Sequence, residues 1–183
     1  MSEGQLTPPV GGDDHVAGPD DAPVTLVEYG DFECPYCGMA YPIVHAIRRA
    51  LGPRLRFVYR HFPLRESHPH AQHAAEAAEA AGAQGKFWAM HDQLFEHQDA
   101  LGDAALIHYA RAIGLDADRV ARELEARTFE PRVRQNFRSG VKSGVNGTPT
   151  FFINGERYDG TWADERAFLH ALREAAEASA RAR

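Results

Sequence analysis

Two cysteines stand three residues apart in Phe32-Glu33-Cys34-Pro35-Tyr36-Cys37-Gly38, and the chain has no others. A disulfide framework needs several bridges across distant loops, and a closed structural zinc site needs four ligands, so two neighbouring sulfurs supply neither. A CxxC pair beside a strand is suited to redox chemistry. One thiolate attacks a sulfur, and the second thiol resolves the mixed disulfide that results. An ordinary cysteine thiol, with a pKa near about 8.5, is mostly protonated at neutral pH, so the attacking sulfur needs a device that favours its anion. A helix N-terminus is such a device, because its unpaired N–H groups and its dipole favour negative charge.

The residues around the pair provide that position. Residues 24–29, Val-Thr-Leu-Val-Glu-Tyr, are β-branched and apolar and form a strand, with a turn over 30–33. Met39, Ile43, Val44, Ile47 and Leu51 then recur at helical spacing until Gly52-Pro53 ends the run. The helix starts at or just after Cys34, with Pro35 at the first position, where its missing N–H costs nothing. Cys37 falls nearly one turn further on the same face. Cys34 is therefore expected to be the exposed attacking sulfur and Cys37 the buried resolving one. A second strand at 55–60 completes a strand–helix–strand opening, and His61-Phe62-Pro63 leads out of it.

From about residue 68 to 144 the pattern is helical throughout. Helices are predicted at 71–81, 86–98, 104–113, 117–127 and 131–141, separated by Gly82, Gly85, Gly102, Gly114 and Pro131. Phe87, Trp88, Met90, His91, Leu94 and Phe95 make one broad apolar face, which reads as core. Strands return at 150–153 and 156–158 around the hairpin turn Asn154-Gly155. A last helix is predicted over 163–178, with Thr161 and Asp164 as a capping pair.

The strand before FECPYCG, the helix after it, the long helical stretch and Gly147-Thr148-Pro149-Thr150-Phe151-Phe152-Ile153-Asn154-Gly155 together resemble the DsbA-like branch of the thioredoxin superfamily. The resemblance covers roughly residues 22–178. CPYC alone is also found in glutaredoxins and some disulfide isomerases; the helical insertion and the distant Thr-Pro make the match specific. It implies an α/β fold, a thioredoxin-like sheet with an inserted all-helical domain. The expected division is a flexible tail at 1–20, a thioredoxin-like domain from 21–61 and 146–183, and the insertion at 62–145. It also implies a cis-proline at Pro149 facing the dithiol, with the Thr148 backbone, Pro35 and Tyr36 meeting the substrate. Glu28, six residues before Cys34, matches a buried acid that takes the proton of the resolving thiol; the competing expectation is a solvent-facing strand residue. Glu33 is expected to be exposed and to exert only a background effect.

The activity implied is protein disulfide oxidoreductase, acting on protein thiols or disulfides, with glutathione a possible redox partner and with no metal or organic cofactor. Oxidant, reductant and isomerase remain open. Two alternatives stand beside it: a glutathione-dependent, glutaredoxin-like enzyme or small-molecule isomerase, and a non-catalytic metal carrier or chaperone using the same sulfurs. A net charge of −6 gives no ground for nucleic-acid or anionic-membrane binding. No stretch approaches the 18 or so apolar residues of a membrane span. The first twenty residues lack a basic start and an apolar run, which favours a cytoplasmic protein, or a periplasmic or secreted one if a signal was trimmed; a monomer is expected. His68, His70 and His73 cluster without a cysteine nearby and are expected to be capping or solvated, not ligands.

Overall fold

The computed structural model describes residues 4–182, which form two compact units. The first is built from three stretches, ending at Gly30, spanning Met39–Arg60, and resuming at Ser139. The second consists of Asp31–Gly38 and His61–Arg138.

Among the described residues of the first unit a five-stranded sheet has the order β1-β3-β2-β4-β5. Its strands are β1 (His15–Ala17), β2 (Val24–Gly30), β3 (Leu55–His61), β4 (Thr150–Ile153) and β5 (Glu156–Tyr158). The pairs β1–β3, β2–β4 and β4–β5 are antiparallel. β2 lies between β3 and β4, and its run rich in Val, Leu and Tyr is buried along nearly its whole length. Its register sets Leu26 against Ile153, Glu28 against Phe151 and Tyr29 against Thr150. β2 therefore leaves the sheet at the end where β4 enters it.

The helix α1 (Pro35–Leu51) starts at the expected residue. It contains Pro42, which has no N–H to give to the carbonyl four residues back, at Gly38. In the second unit α2 (Ala71–Ala83), α3 (Phe87–Glu96), α4 (Asp103–Ala112) and α5 (Ala117–Glu125) pack on one another, and α6 (Glu130–Lys142) follows. Phe87, Met90, His91, Leu94 and Phe95 are buried, as the apolar stripe predicts. α7 (Glu165–Arg181) ends the chain and packs on β2. Its cap is not Thr161: the Asp164 carboxylate accepts from the Arg166 and Ala167 N–H groups.

Three expectations need correction. Residues 4–20 are not a flexible tail (residues 1–3 lie outside the described residues). Leu6 is buried, Gln5 bridges to Glu156, and β1 pairs with β3. The buried Arg60 holds this segment by a two-pronged bond to Asp14, 2.8 Å on each prong, and by donating to the Pro8 and Pro9 carbonyls. A Gly- and Pro-rich composition gave no sign of an anchor supplied by a residue so distant in sequence. The helical unit is bounded at 61–138 and not at 62–145. It also takes in the dithiol turn, which the sequence assigns to the strand and helix flanking it.

Candidate active site

Cys34 is the cap of α1: its carbonyl accepts from the Gly38 N–H at 3.1 Å, and Pro35 is the first helical residue. Both cysteines are thiols. Cys37 has no exposed surface and accepts the Asp31 N–H on its sulfur at 3.5 Å. Cys34 is 3% exposed and therefore buried too, not the open sulfur the sequence suggests. The turn leading to it is drawn into the helical unit. Phe32 packs its ring against Phe95, His91 and His61, with ring centres 4.9 to 5.9 Å apart. The Gln98 amide, just past α3, donates to the carbonyls of Phe32 at 2.7 Å and Cys34 at 3.0 Å. Pro35 and Tyr36 face solvent, Tyr36 with 62% of its surface.

Asp31 organises the turn from beneath. Its buried carboxylate accepts from the Glu33 N–H at 2.8 Å, from the Leu64 N–H at 2.8 Å and pairs with His68 Nδ1 at 2.7 Å. Glu33, expected to be merely exposed, is half-buried and accepts the His70 N–H at 2.7 Å. Two carboxylates thus tie the segment 64–70 to the dithiol turn. Burial works against charge on His68, but the Asp31 hydrogen bond and the attraction of Asp31, Cys34 and Glu33 outweigh it and raise its pKa above 6.5. His73 pairs elsewhere, with Asp103, so these histidines do not share one ligand set.

In the sheet-bearing unit, Glu28 is 3% exposed, which removes the solvent-facing alternative. A central strand covered on both faces buries its acid as well as its apolar residues. Thr148 and Pro149 are half-buried, and the bond between them is cis. Thr150 Oγ1 donates to the Gly147 carbonyl at 2.8 Å and closes the loop at the head of β4.

A model of the thioredoxin family matches residues 11–171. The chain belongs to that family. In fold it is similar to BdbD from Bacillus subtilis, with a TM-score of 0.85 at 23% identity over 96% of this chain and 100% of that one. It is also similar to a thioredoxin-like oxidoreductase from Silicibacter pomeroyi, with a TM-score of 0.78 at 31% identity, covering 91% of this chain and 94% of that one. A sequence relative, Na(+)/H(+) antiporter NhaA 3 from Salinispora tropica, is 51% identical over 93% of this chain, which spans only 26% of that relative's length. Among the described residues no helix is long and apolar enough to cross a membrane.

For a thioredoxin-family chain, the sequence pointed to Cys34, Cys37, Glu28, Thr148, Pro149, Pro35 and Tyr36. It passed over Asp31 and Gln98, and it took His68 for a capping or solvated residue, whereas its ring pairs with the buried Asp31 carboxylate. Asp31 did carry a signal, since an Asp three residues before a helix-starting Cys is well suited to a turn that bonds its own backbone. His68 and Gln98 carried none, because each meets the site only through the fold.

Proposed function

We propose that this oxidoreductase exchanges disulfides with protein substrates through Cys34 and Cys37. The observation that carries the proposal is the placement of both thiols in the first turn of α1, with Cys34 at its cap and Cys37 buried behind. Unpaired N–H groups at that end favour the Cys34 thiolate. In the reducing direction the thiolate attacks one sulfur of a substrate disulfide, and the other substrate sulfur leaves as a thiolate. Cys37 then gives up its proton and attacks the Cys34 sulfur, releasing the second substrate thiol. Two electrons pass to the substrate, and Cys34–Cys37 becomes the disulfide. Oxidation of a substrate dithiol is the same path reversed.

Glu28 is assigned the proton of Cys37, a role suited to a buried carboxyl whose charged form is disfavoured by desolvation. Thr148, Pro149, Pro35 and Tyr36 are assigned to substrate binding. The support is the family resemblance, the exposure of Pro35 and Tyr36, and the entry of β4 at the sheet end where β2 departs. An extended polypeptide pairing with the Thr148 backbone would need few particular side chains, which fits an enzyme acting on many proteins.

The test is alkylation and trapping. Cys34 should alkylate far faster than Cys37 in the reduced protein. Cys34→Ser should abolish exchange, and Cys37→Ser should accumulate mixed disulfides through Cys34. Glu28→Gln should slow resolution and leave the first attack unchanged. Equal reactivity of the two sulfurs would remove the assigned roles. A redox titration against glutathione then fixes direction. The antiporter relatives carry a similar segment within one long chain, so a membrane transporter with accessible cysteines belongs among the substrates offered to the Cys37→Ser trap.

A further inference from the structure

The device that favours a thiolate at Cys34 is incomplete if it consists of the helix end alone. Pro35 and Tyr36, between the two sulfurs, carry no charge, and α1 has no basic residue until His45. The residues just before Cys34 are worse than neutral. Asp31 is a buried carboxylate whose own N–H already serves the Cys37 sulfur, and Glu33 is the immediate neighbour of Cys34. Two anions beside a sulfur hold its proton on. Something must offset them.

We infer that His68 is the cationic partner of the Cys34 thiolate, and that Asp31 and Glu33 serve to hold it at the mouth of the dithiol turn. The geometry is specific. His68 Nδ1 meets Asp31 Oδ2 at 2.7 Å, the same oxygen takes the Leu64 N–H at 2.8 Å, and Glu33 takes the His70 N–H at 2.7 Å. The segment 64–70 is thereby fastened at both ends, with the imidazole between. Its own turn is closed by backbone bonds from Ser67 and His68 to the Leu64 carbonyl. The His68 side chain keeps 17% of its surface, so it is shielded without being sealed. The groups whose charges act on it are Asp31, Cys34 and Glu33, all anionic when ionised. Each favours the imidazolium, and the imidazolium in return favours the Cys34 thiolate. Asp31 is thus turned from an opponent of the thiolate into the post that anchors its counter-charge.

This rests on the dithiol proposal above and assigns His68 as a positioning and electrostatic residue. A stabilised thiolate stabilises the reduced form, so losing the cation should leave the protein a weaker oxidant. His68→Gln keeps a hydrogen-bond donor for Asp31 and removes the charge. Its Cys34 should alkylate with iodoacetamide about tenfold more slowly at pH 6, the effect of about one unit in thiol pKa. Its equilibrium with glutathione should move about tenfold towards the protein disulfide. His68→Lys should recover most of both. The wild-type protein offers an independent check. By reciprocity, His68 observed by NMR should titrate at lower pH in the disulfide form than in the thiolate form. An unchanged Cys34 titration in folded His68→Gln, or a His68 midpoint indifferent to oxidation, overturns the inference. Preferential alkylation of Cys37 in the wild-type chain would instead overturn the dithiol assignment itself, so the two failures are distinct.

Discussion

At the scale of single residues, the Asp31–His68 pair makes a prediction about pH that does not depend on activity. His68 has its pKa raised in the native state, mainly by the Asp31 hydrogen bond and the neighbouring anions after burial has opposed them. A group whose native pKa is raised stabilises the fold fully below its unfolded pKa, and that contribution fades as pH rises through the native value. The pair should therefore contribute most below about pH 6.5 and little in alkaline solution. Urea midpoints of Cys34→Ser and of Cys34→Ser with His68→Ala, which removes the bond to Asp31 as well as the charge, isolate it, since serine does not titrate. Their difference should be about 1.5–3 kcal/mol at pH 6, the worth of a hydrogen bond to a charged group, and should shrink by pH 9. A gap that widens with pH would contradict the raised pKa. The sequence pointed to Cys34 and Cys37 because CxxC is a local pattern, read from four consecutive residues. It did not show His68, because Asp31 and His68 lie 37 residues apart and no spacing rule connects them.

At the scale of elements, Gly38 and Gln98 should behave as one unit. Replacing an interior helical glycine by alanine ordinarily stabilises a helix by about 1 kcal/mol. Here a Cβ on Gly38 would lie 2.0 Å from the Gln98 amide oxygen and would push away the amide that serves the Phe32 and Cys34 carbonyls. Gly38→Ala should therefore destabilise the wild-type chain, by about 1–3 kcal/mol if the buried carbonyls lose their donor. In a Gln98→Ala background the same change should be neutral or stabilising. Additive effects in that double-mutant cycle would show that the contact is incidental. The helices of the second unit were legible from spacing and punctuation; α3 and α5 begin within a residue of where the pattern places them. β1 was not, because three residues, His15–Ala17, offer no alternation to read and are strand only through β3.

At the scale of the whole molecule, the family and fold followed from motifs distributed along the chain, whereas the allocation of residues to units did not. The dithiol turn belongs with the helices because Phe32, Asp31 and Cys34 take their partners from 61–98, and side-chain partners are invisible to a segment-by-segment reading. The same holds for the N-terminal segment, whose place depends on Arg60. Arg60→Ala should leave the half-buried Asp14 without its cation and lower the denaturant midpoint, by up to about 3 kcal/mol. Retention of wild-type stability would mean that residues 4–14 contribute nothing to the native state.

The pairing of β2 with β4 also sets a timetable for making the protein. Thr25 and Asn154, which bond across that pair, are separated by 129 residues. At about 5–20 residues per second, roughly 6 to 26 s of translation separate the two. β3 is made early enough to cover one edge of β2, but the other edge waits through the synthesis of the entire helical segment. During that interval the apolar row of Leu26, Val27 and Tyr29 presents unpaired backbone groups to any neighbouring nascent chain. Ribosome stalling between residues 61 and 149 should consequently yield more aggregated product than stalling of equal length after residue 158.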